Sequence, residues 1–525
     1  MNRTALLLTA ILTTAASAQN PSVMLLDAGS PIVQDSHDTR AVRPADIDGD
    51  GDTDLFVGNF HQNDFVYRNM GGGQWFVVPP FHLTDNLDDT FDAAWGDMDA
   101  DGDLDLAVAN GSKGLQPGGG AGTNNALYRN VGPAPGIEGR FEALTIGPVV
   151  NDLGETYAVA WADFNGDATQ DLVFVNRLQP DFLYFNDGTG QFTKVTSGPL
   201  VTDNDTSRDV ATGDLDGDGD EDIVVANSNG QACAIYLNQG FAQGGVEGEF
   251  QRDLSGPLAG DSGDAYGVSI ADYDDDSVLD VFVTRRFHQG NMLYRNTGGA
   301  SFARMTALAP SLDAGDSYES AWGDLELDGD LDLVVANRDE DNFQYLADGD
   351  GGFIKVTWGQ VANDGGDSRG AAIADMDGDG LPEIMFANTL GGADFYYRNM
   401  GPTWTDQGFG HHPGPSEPRL AGAGWLAPST PIDYLVTDAP VGQPAILVAS
   451  FTAIFAPFKG GTLVPAPDIV VAGFVGDLNG EIPFGATFPS TPVPSGLTIY
   501  HQLWMQDPGS PSGFSATNAV KALTP

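Results

Sequence analysis

Seven stretches of this chain place acids at alternate positions, and alternate side chains in a tight turn converge on one point. Counted from the first acid, the pattern is acid at 1, 3, 5 and 9, mostly with Gly at 6. The first stretch has Asp46, Asp48, Asp50, Asp52 and Asp54, and the second Asp97, Asp99, Asp101, Asp103 and Asp105. The third has Asp163, Asn165, Asp167, Thr169 and Asp171, and the fourth Asp214, Asp216, Asp218, Asp220 and Asp222. The fifth has Asp272, Asp274, Asp276, Val278 and Asp280, and the sixth Asp324, Glu326, Asp328, Asp330 and Asp332. The seventh has Asp375, Asp377, Asp379, Leu381 and Glu383.

Such a turn suits Ca²⁺, which takes six to eight oxygens at about 2.3–2.6 Å. The residue at position 7 would offer its carbonyl, the acid at 9 would close the cage, and Gly at 6 permits the turn. No stretch holds a soft ligand, which argues against zinc and copper, and Mg²⁺ demands a stricter octahedron. An EF-hand begins alike but needs Glu at 12, where this chain has Val57, Val108, Phe174, Val225, Val283, Val335 and Phe386. One acidic turn is ordinary solvated surface; seven in register predict up to seven Ca²⁺ ions. The third and fifth loops lack Gly at 6, and the third also has neutral Asn165, so these two are expected to be the weakest. Seven ions would bring the net charge from -52 to about -38.

The loops begin 51, 66, 51, 58, 52 and 51 residues apart. Before each comes a run of small residues such as Ala93-Ala94-Trp95-Gly96, and after it a β-branched run such as Ile223-Val224-Val225. A third segment carries Tyr67, Tyr128, Tyr184, Tyr236, Tyr294, Tyr345 or Tyr397, and a Gly-rich turn leads to a fourth, such as Gln191-Phe192-Thr193-Lys194-Val195. Four short strands at this period predict an all-β fold, a closed seven-bladed β-propeller, with the small-residue strand innermost where blades crowd the axis. An open β-solenoid would have shorter coils. Closure needs both chain ends in one blade, so residues 23–28 are expected to complete the seventh, with 403–409 as competitor.

These units resemble FG-GAP/VCBS repeats, the blades of integrin α-subunit propellers and of many bacterial secreted proteins, over about residues 23–402. The resemblance rests on the Ala-Trp-Gly-Asp lead-in, the acidic loop, the apolar run closing in Asn, and the Tyr-Arg-Asn-x-Gly turn. It implies that each acidic loop joins the first two strands of a blade on one face and binds Ca²⁺.

Six residues before each loop stand Arg40, Phe91, Tyr157, Arg208, Tyr266, Tyr318 and Arg369. Two residues earlier there is an acid (Asp38, Asp89, Glu155, Asp264, Asp316 or Asp367), except for Thr206. In a closed propeller these would ring the channel mouth opposite the loops. Arginines with aromatics suit planar polar ligands, such as sugars or peptide side chains. They equally suit bracing between blades by stacking and Asp–Arg pairing.

With 22 Lys+Arg against 74 Asp+Glu the chain repels nucleic acid and anionic membranes. Residues 1–18 read as a signal peptide with an Ala16-Ser17-Ala18 cleavage site, which predicts a secreted, extracellular or cell-surface protein without a membrane span. Cys233 is alone, so no internal disulfide forms and bound metal is the expected cross-link. Gly366-Asp367-Ser368-Arg369-Gly370 matches a hydrolase string and Gly260-Asp261-Ser262-Gly263 a protease string, but repeat register accounts for both. The domains expected are a propeller at 19–409, a linker at 410–429 holding His411-His412, and a small β-sandwich-like domain at 430–525. The function expected is a monomeric recognition or adhesion module for an extracellular protein or carbohydrate, not an enzyme. The alternatives are a structural surface or matrix protein and a polysaccharide-active lyase or hydrolase.

Overall fold

The computed structural model describes residues 22–33, 37–71, 74–78, 89–111, 123–132, 141–240, 245–246, 248–349, 351–357 and 360–402, and beyond these the strands between 404 and 523. The signal segment 1–18 and His411-His412 lie outside the described residues.

Seven four-stranded antiparallel sheets follow one another along the chain. Blade 3 shows the plan. Its inner strand Thr156–Ala162 pairs with Asp171–Asn176, which pairs with Phe182–Asn186 and then with Phe192–Lys194. Every residue of Asp171–Asn176 is buried, as expected of a strand covered on both faces, and this explains its unbroken apolar run. Neighbouring blades bury their faces against each other in seven separate apolar clusters, one per seam. Between blades 2 and 3, for example, Met98, Leu127, Val159, Leu172 and Tyr184 pack together.

The inner strands close a ring: each lies against those of its two neighbours, and the seventh, Ser368–Ala374, lies against the first, Thr39–Ala45. Ser22–Leu26 is the outer strand of blade 7, beside Phe395–Pro402, and the Asp27 amide donates to the Tyr396 carbonyl at 2.9 Å. The N-terminal segment thus completes the seventh blade. Its sequence-level competitor is engaged elsewhere, because Trp404–Asp406 pairs with Phe514–Leu523.

Met24–Arg398 form one compact unit, and the strands beyond Asn399 belong to a second. That second unit holds a five-stranded sheet, a three-stranded sheet and a two-stranded hairpin. The stretch expected to be a linker, 410–429, contributes the strand Arg419–Ala423 to the three-stranded sheet. Its residues, Arg-Leu-Ala-Gly-Ala, carry no β-branched signal; pairing with Pro431–Thr437 imposes the strand. Among the described residues no helix is long and apolar enough to cross a membrane.

Candidate functional site

The acidic loops sit between the inner and second strands of each blade, and one hydrogen-bond scheme builds them all. In the first loop both carboxylate oxygens of Asp46 accept main-chain amides, from Gly49 at 2.8 Å and Gly51 at 3.0 Å. Asp50 accepts from the amide of Asp52 at 3.0 Å. Position 6 is left-handed throughout: Gly51, Gly102, Gly219, Gly329 and Gly380 have φ of 90–99°. Ala168 and Ser277 adopt the same turn at φ 66°, so loops three and five keep the shape without the glycine. Position 4 is left-handed too, with Ala100, Asp275 and Leu327 at 57°, a constraint the sequence did not announce.

The acid at position 9 is the most buried member of each loop. Asp171 accepts the Phe164 amide at 3.1 Å and the Asn186 amide at 2.7 Å, one on each oxygen. Asp54, Asp105, Asp222, Asp280 and Asp332 repeat this clamp, and burial pushes all six carboxyls up to about 7. Position 9 therefore ties the loop to the third strand of its own blade, a role the ligand pattern alone did not reveal.

Five loops gather three acids whose oxygens lie within 4.8 Å of one another. These are Asp46/Asp48/Asp50, Asp97/Asp99/Asp101, Asp214/Asp216/Asp218, Asp272/Asp274/Asp276 and Asp375/Asp377/Glu383. Loop five is gathered although it lacks Gly at position 6, and loops three and six do not form such a triad among the described residues. In loop six the longer Glu326 side chain bonds to Asp332. Loop three has Asn165 in place of an acid.

The donor sets fit a hard divalent cation. All are oxygens, and Asp99 and Asp274 each bury an Oδ1 that has no hydrogen-bond partner among the described residues. Burial first, and then the neighbouring carboxylates, raise the pKa of both, although Arg129 and Arg295 pull in the opposite direction. Four loops also receive an arginine from the third strand. Arg295 meets Asp274 at 2.7 Å and Asp276 at 2.9 Å, Arg398 meets Asp377 at 2.8 Å, and Arg68 and Arg129 pair with Asp48 and Asp99. The asparagine that closes the third strand latches the blades together: the Nδ2 of Asn186 donates to the Met98 carbonyl of the preceding blade at 2.7 Å. Asn69, Asn130, Asn238 and Asn296 make the same bond at 2.7–2.9 Å.

At the other end of the inner strands the structure brings together all seven ring residues. Arg40, Phe91, Tyr157, Arg208, Tyr266, Tyr318 and Arg369 line one cavity of about 130 Å³, with Arg286 added from blade 5. The local reason is a register shift at the start of every inner strand, for example between Thr156 and Ala158 and between Ser207 and Asp209. The ring residue is the extra one in each bulge, which re-aims its side chain.

The ring is a chain of stacked groups. Phe91 and Tyr157 have centroids 4.3 Å apart, and Tyr266 and Tyr318 5.0 Å. The Arg208 guanidinium lies 4.2 Å from the Tyr157 centroid and 4.6 Å from that of Tyr266. Arg286 lies 4.5 Å from Tyr266 and 4.8 Å from Tyr318, and Arg369 4.9 Å from Tyr318. The preceding acids pair with several of these cations: Asp38 with Arg40 at 3.0 Å, Asp316 with Arg286 at 3.3 Å and Asp367 with Arg369 at 3.7 Å. Below them Arg43 joins Asp92 to Glu319, the latter at 2.9 Å.

The hydrolase-like string is accounted for by the repeat. Ser368 is buried, donates to Asn388 at 2.7 Å and accepts from Asn342 at 3.0 Å, equivalent to the Ser317–Asn337 pair of blade 6. Ser262 lies in a two-residue strand paired with Gln231–Ala232.

A family model described as FG-GAP-like repeat matches residues 32–108, 163–225, 214–283, 272–335 and 324–386. Cartilage acidic protein 1 of Mus musculus is 28% identical over 239 residues, which cover 41% of this chain and 35% of that protein. The Homo sapiens protein is 28% identical over 240 residues, 41% of this chain and 34% of the relative. The match thus spans about a third of the length of these curated relatives. Among solved structures, BBS1N in complex with ARL6DN, soaked with lead, is 15% identical with a TM-score of 0.43, over 73% of this chain and 98% of that one. The V. cholerae biofilm matrix protein Bap1 is 14% identical with a TM-score of 0.30, over 96% of this chain and 70% of that one.

Proposed function

From the premise that this chain belongs to the FG-GAP-like repeat family, we propose that it is a secreted, calcium-loaded propeller that recognises a protein or carbohydrate outside the cell. One observation carries the recognition reading: seven residues from seven blades converge on a single cavity at the channel mouth. The acidic loops at the opposite ends of the inner strands supply rigidity. Several carboxylates confined to one turn repel each other, and a divalent ion at each cluster turns that repulsion into a cross-link. The likeness to a protein named for cartilage and for acidity fits such a module. The Ser368 string has a structural role, its hydroxyl being held between Asn388 and Asn342.

A second reading has its own support. Arginine–aromatic stacks and Asp–Arg pairs are what bracing alone would produce, and a matrix protein with no specific ligand would need no more. Two measurements separate the readings. Chelation by EGTA should lower the melting temperature by more than about 10 °C if several sites are occupied, since each ion at a hundred times its Kd adds about 2.7 kcal/mol. Calcium-dependent capture on glycan and extracellular-protein arrays should then be lost in Tyr157→Ala and Tyr318→Ala variants that still fold. A melting curve indifferent to EGTA removes the metal; capture that survives both substitutions removes the mouth.

A further inference from the structure

Among the described residues, the mouth contains one arginine that no acid meets. Arg208 is 9% exposed, and its Nε donates to Ser228 Oγ at 2.8 Å. Arg40, Arg286 and Arg369 each face an acid, two of them supplied two residues earlier in the chain. At that position blade 4 has Thr206, and Arg208 forms no ion pair among the described residues. The neighbouring Asp209 does not compensate, because its oxygens accept the Val210 and Val268 amides, each at 2.8 Å. A guanidinium cannot shed its proton at any physiological pH, so burial does not neutralise it. Stacking between Tyr157 and Tyr266 offsets part of the cost, but its terminal nitrogens have no acceptor among the described residues.

The surroundings sharpen this demand. Five arginines and three acids line the cavity, in a chain with 22 Lys+Arg against 74 Asp+Glu. Arg40 and Arg369 face each other across the seam of blades 7 and 1; burial, and then this repulsion, lowers the pKa of Arg40. Burial also pushes the carboxyls of Asp209 and Glu319 up to about 7 and about 8, which thins the negative charge of the floor near neutral pH.

We propose that the mouth binds the carboxylate of an acidic side chain presented by a protein partner, with Arg208 as its anchor. This rests on the reading of the mouth as a recognition site and names its ligand class. A peptide fits better than a sugar for two reasons. The faces of Tyr157, Tyr266 and Tyr318 are met by arginines and that of Phe91 by Tyr157, so no ring offers a free platform to a pyranose. A cavity of about 130 Å³ also takes the tip of one side chain, well below the roughly 300–1,000 Å³ of sites for larger ligands.

The test uses the calcium-saturated full chain and fluorescein-labelled hexaglutamate, read by anisotropy at about 150 mM salt, with hexalysine and trigalacturonate as comparison probes. Hexaglutamate should bind and hexalysine should not. Arg208→Gln should weaken binding at least tenfold. Thr206→Asp supplies the acid other blades carry and leaves Arg208 in place; it should also weaken binding at least tenfold while raising the melting temperature. Wild-type protein that melts as the calcium-loaded form yet ignores hexaglutamate overturns the proposal, as does binding by both variants as tight as that of the wild type. Binding of trigalacturonate alone overturns the peptide assignment but leaves the mouth as a recognition site.

Discussion

Removing one amide group should open one seam of the ring. Asn186 is buried between blades 3 and 2, and its Nδ2 donates to the carbonyls of Met98 at 2.7 Å and Gln170 at 3.0 Å. Asn186→Ala leaves the buried Met98 oxygen unpaired, at about 1–3 kcal/mol, and loses a second bond worth about 1 kcal/mol. The seam should therefore weaken by about 2–4 kcal/mol. The loss is local, so global unfolding is a poor reporter for a repeat structure whose seams can open separately. Hydrogen exchange by mass spectrometry, on peptides covering 93–98 and 182–186, reads it directly. At 1.36 kcal/mol per decade, exchange there should accelerate roughly 30- to 1,000-fold, with the seam between blades 5 and 6 unchanged. Acceleration below about threefold, or the same acceleration in every blade, would refute the latch.

Two further perturbations follow from the same geometry. Burial holds the Glu319 carboxyl at about 8, far above an unfolded value near 4.3, so its ionisation opposes folding; its contribution is fully present below about pH 4 and is lost as pH rises to about 8. Glu319→Gln should flatten the decline in melting temperature between pH 5 and 9, and an unchanged slope would show that Arg43 already holds the group ionised. Gly219→Ala introduces a Cβ that meets nothing within 4 Å at φ 97°, so its cost is backbone strain alone, about 1–2 kcal/mol, and thermal unfolding should show that loss but none for Gly260→Ala, an open position without left-handed φ.

Much of this architecture is written in the repeat. Small residues before each acidic loop, the β-branched run behind it and the buried tyrosine fix four strands per blade, because each position meets the same two neighbouring sheets seven times over. The ring residues were legible for the same reason: a fixed offset from the loop is a fixed height in the channel. What stayed hidden depends on side chains crossing between elements. The acid at position 9 looks like a ligand in a linear pattern, yet its two oxygens hold amides from its own loop and from a strand 15 residues away. The arginine of the Tyr-Arg-Asn turn reads as solvated surface until the third strand brings Arg295 onto Asp274 and Asp276. The bulge that aims the ring has no signature, since residues as different as Arg40, Phe91 and Tyr157 occupy it.

An odd number of blades explains the polar floor beneath the mouth. Just after the ring residue the chain alternates small and acidic: Ala41, Asp92, Ala158, Asp209, Gly267, Glu319, Gly370. Each acid caps an inner-strand amide of the following blade, Asp92 that of Val159 at 3.1 Å, Asp209 that of Val268 at 2.8 Å and Glu319 that of Ala371 at 3.3 Å. The small partners are required, because a Cβ on Gly267 would stand 2.3 Å from the Tyr318 carbonyl and one on Gly370 2.8 Å from that of Arg40. Alternation cannot close over seven positions, so Gly370 and Ala41 fall side by side where the blade completed by the N-terminal strand meets blade 1. Arg43 compensates at that seam. It reaches from blade 1 to Asp92 on one side and to Glu319 on the other, at 2.9 Å, and so links the last acid of the series to the first. Arg43 thus stands in for the missing cap at the seam of blades 7 and 1.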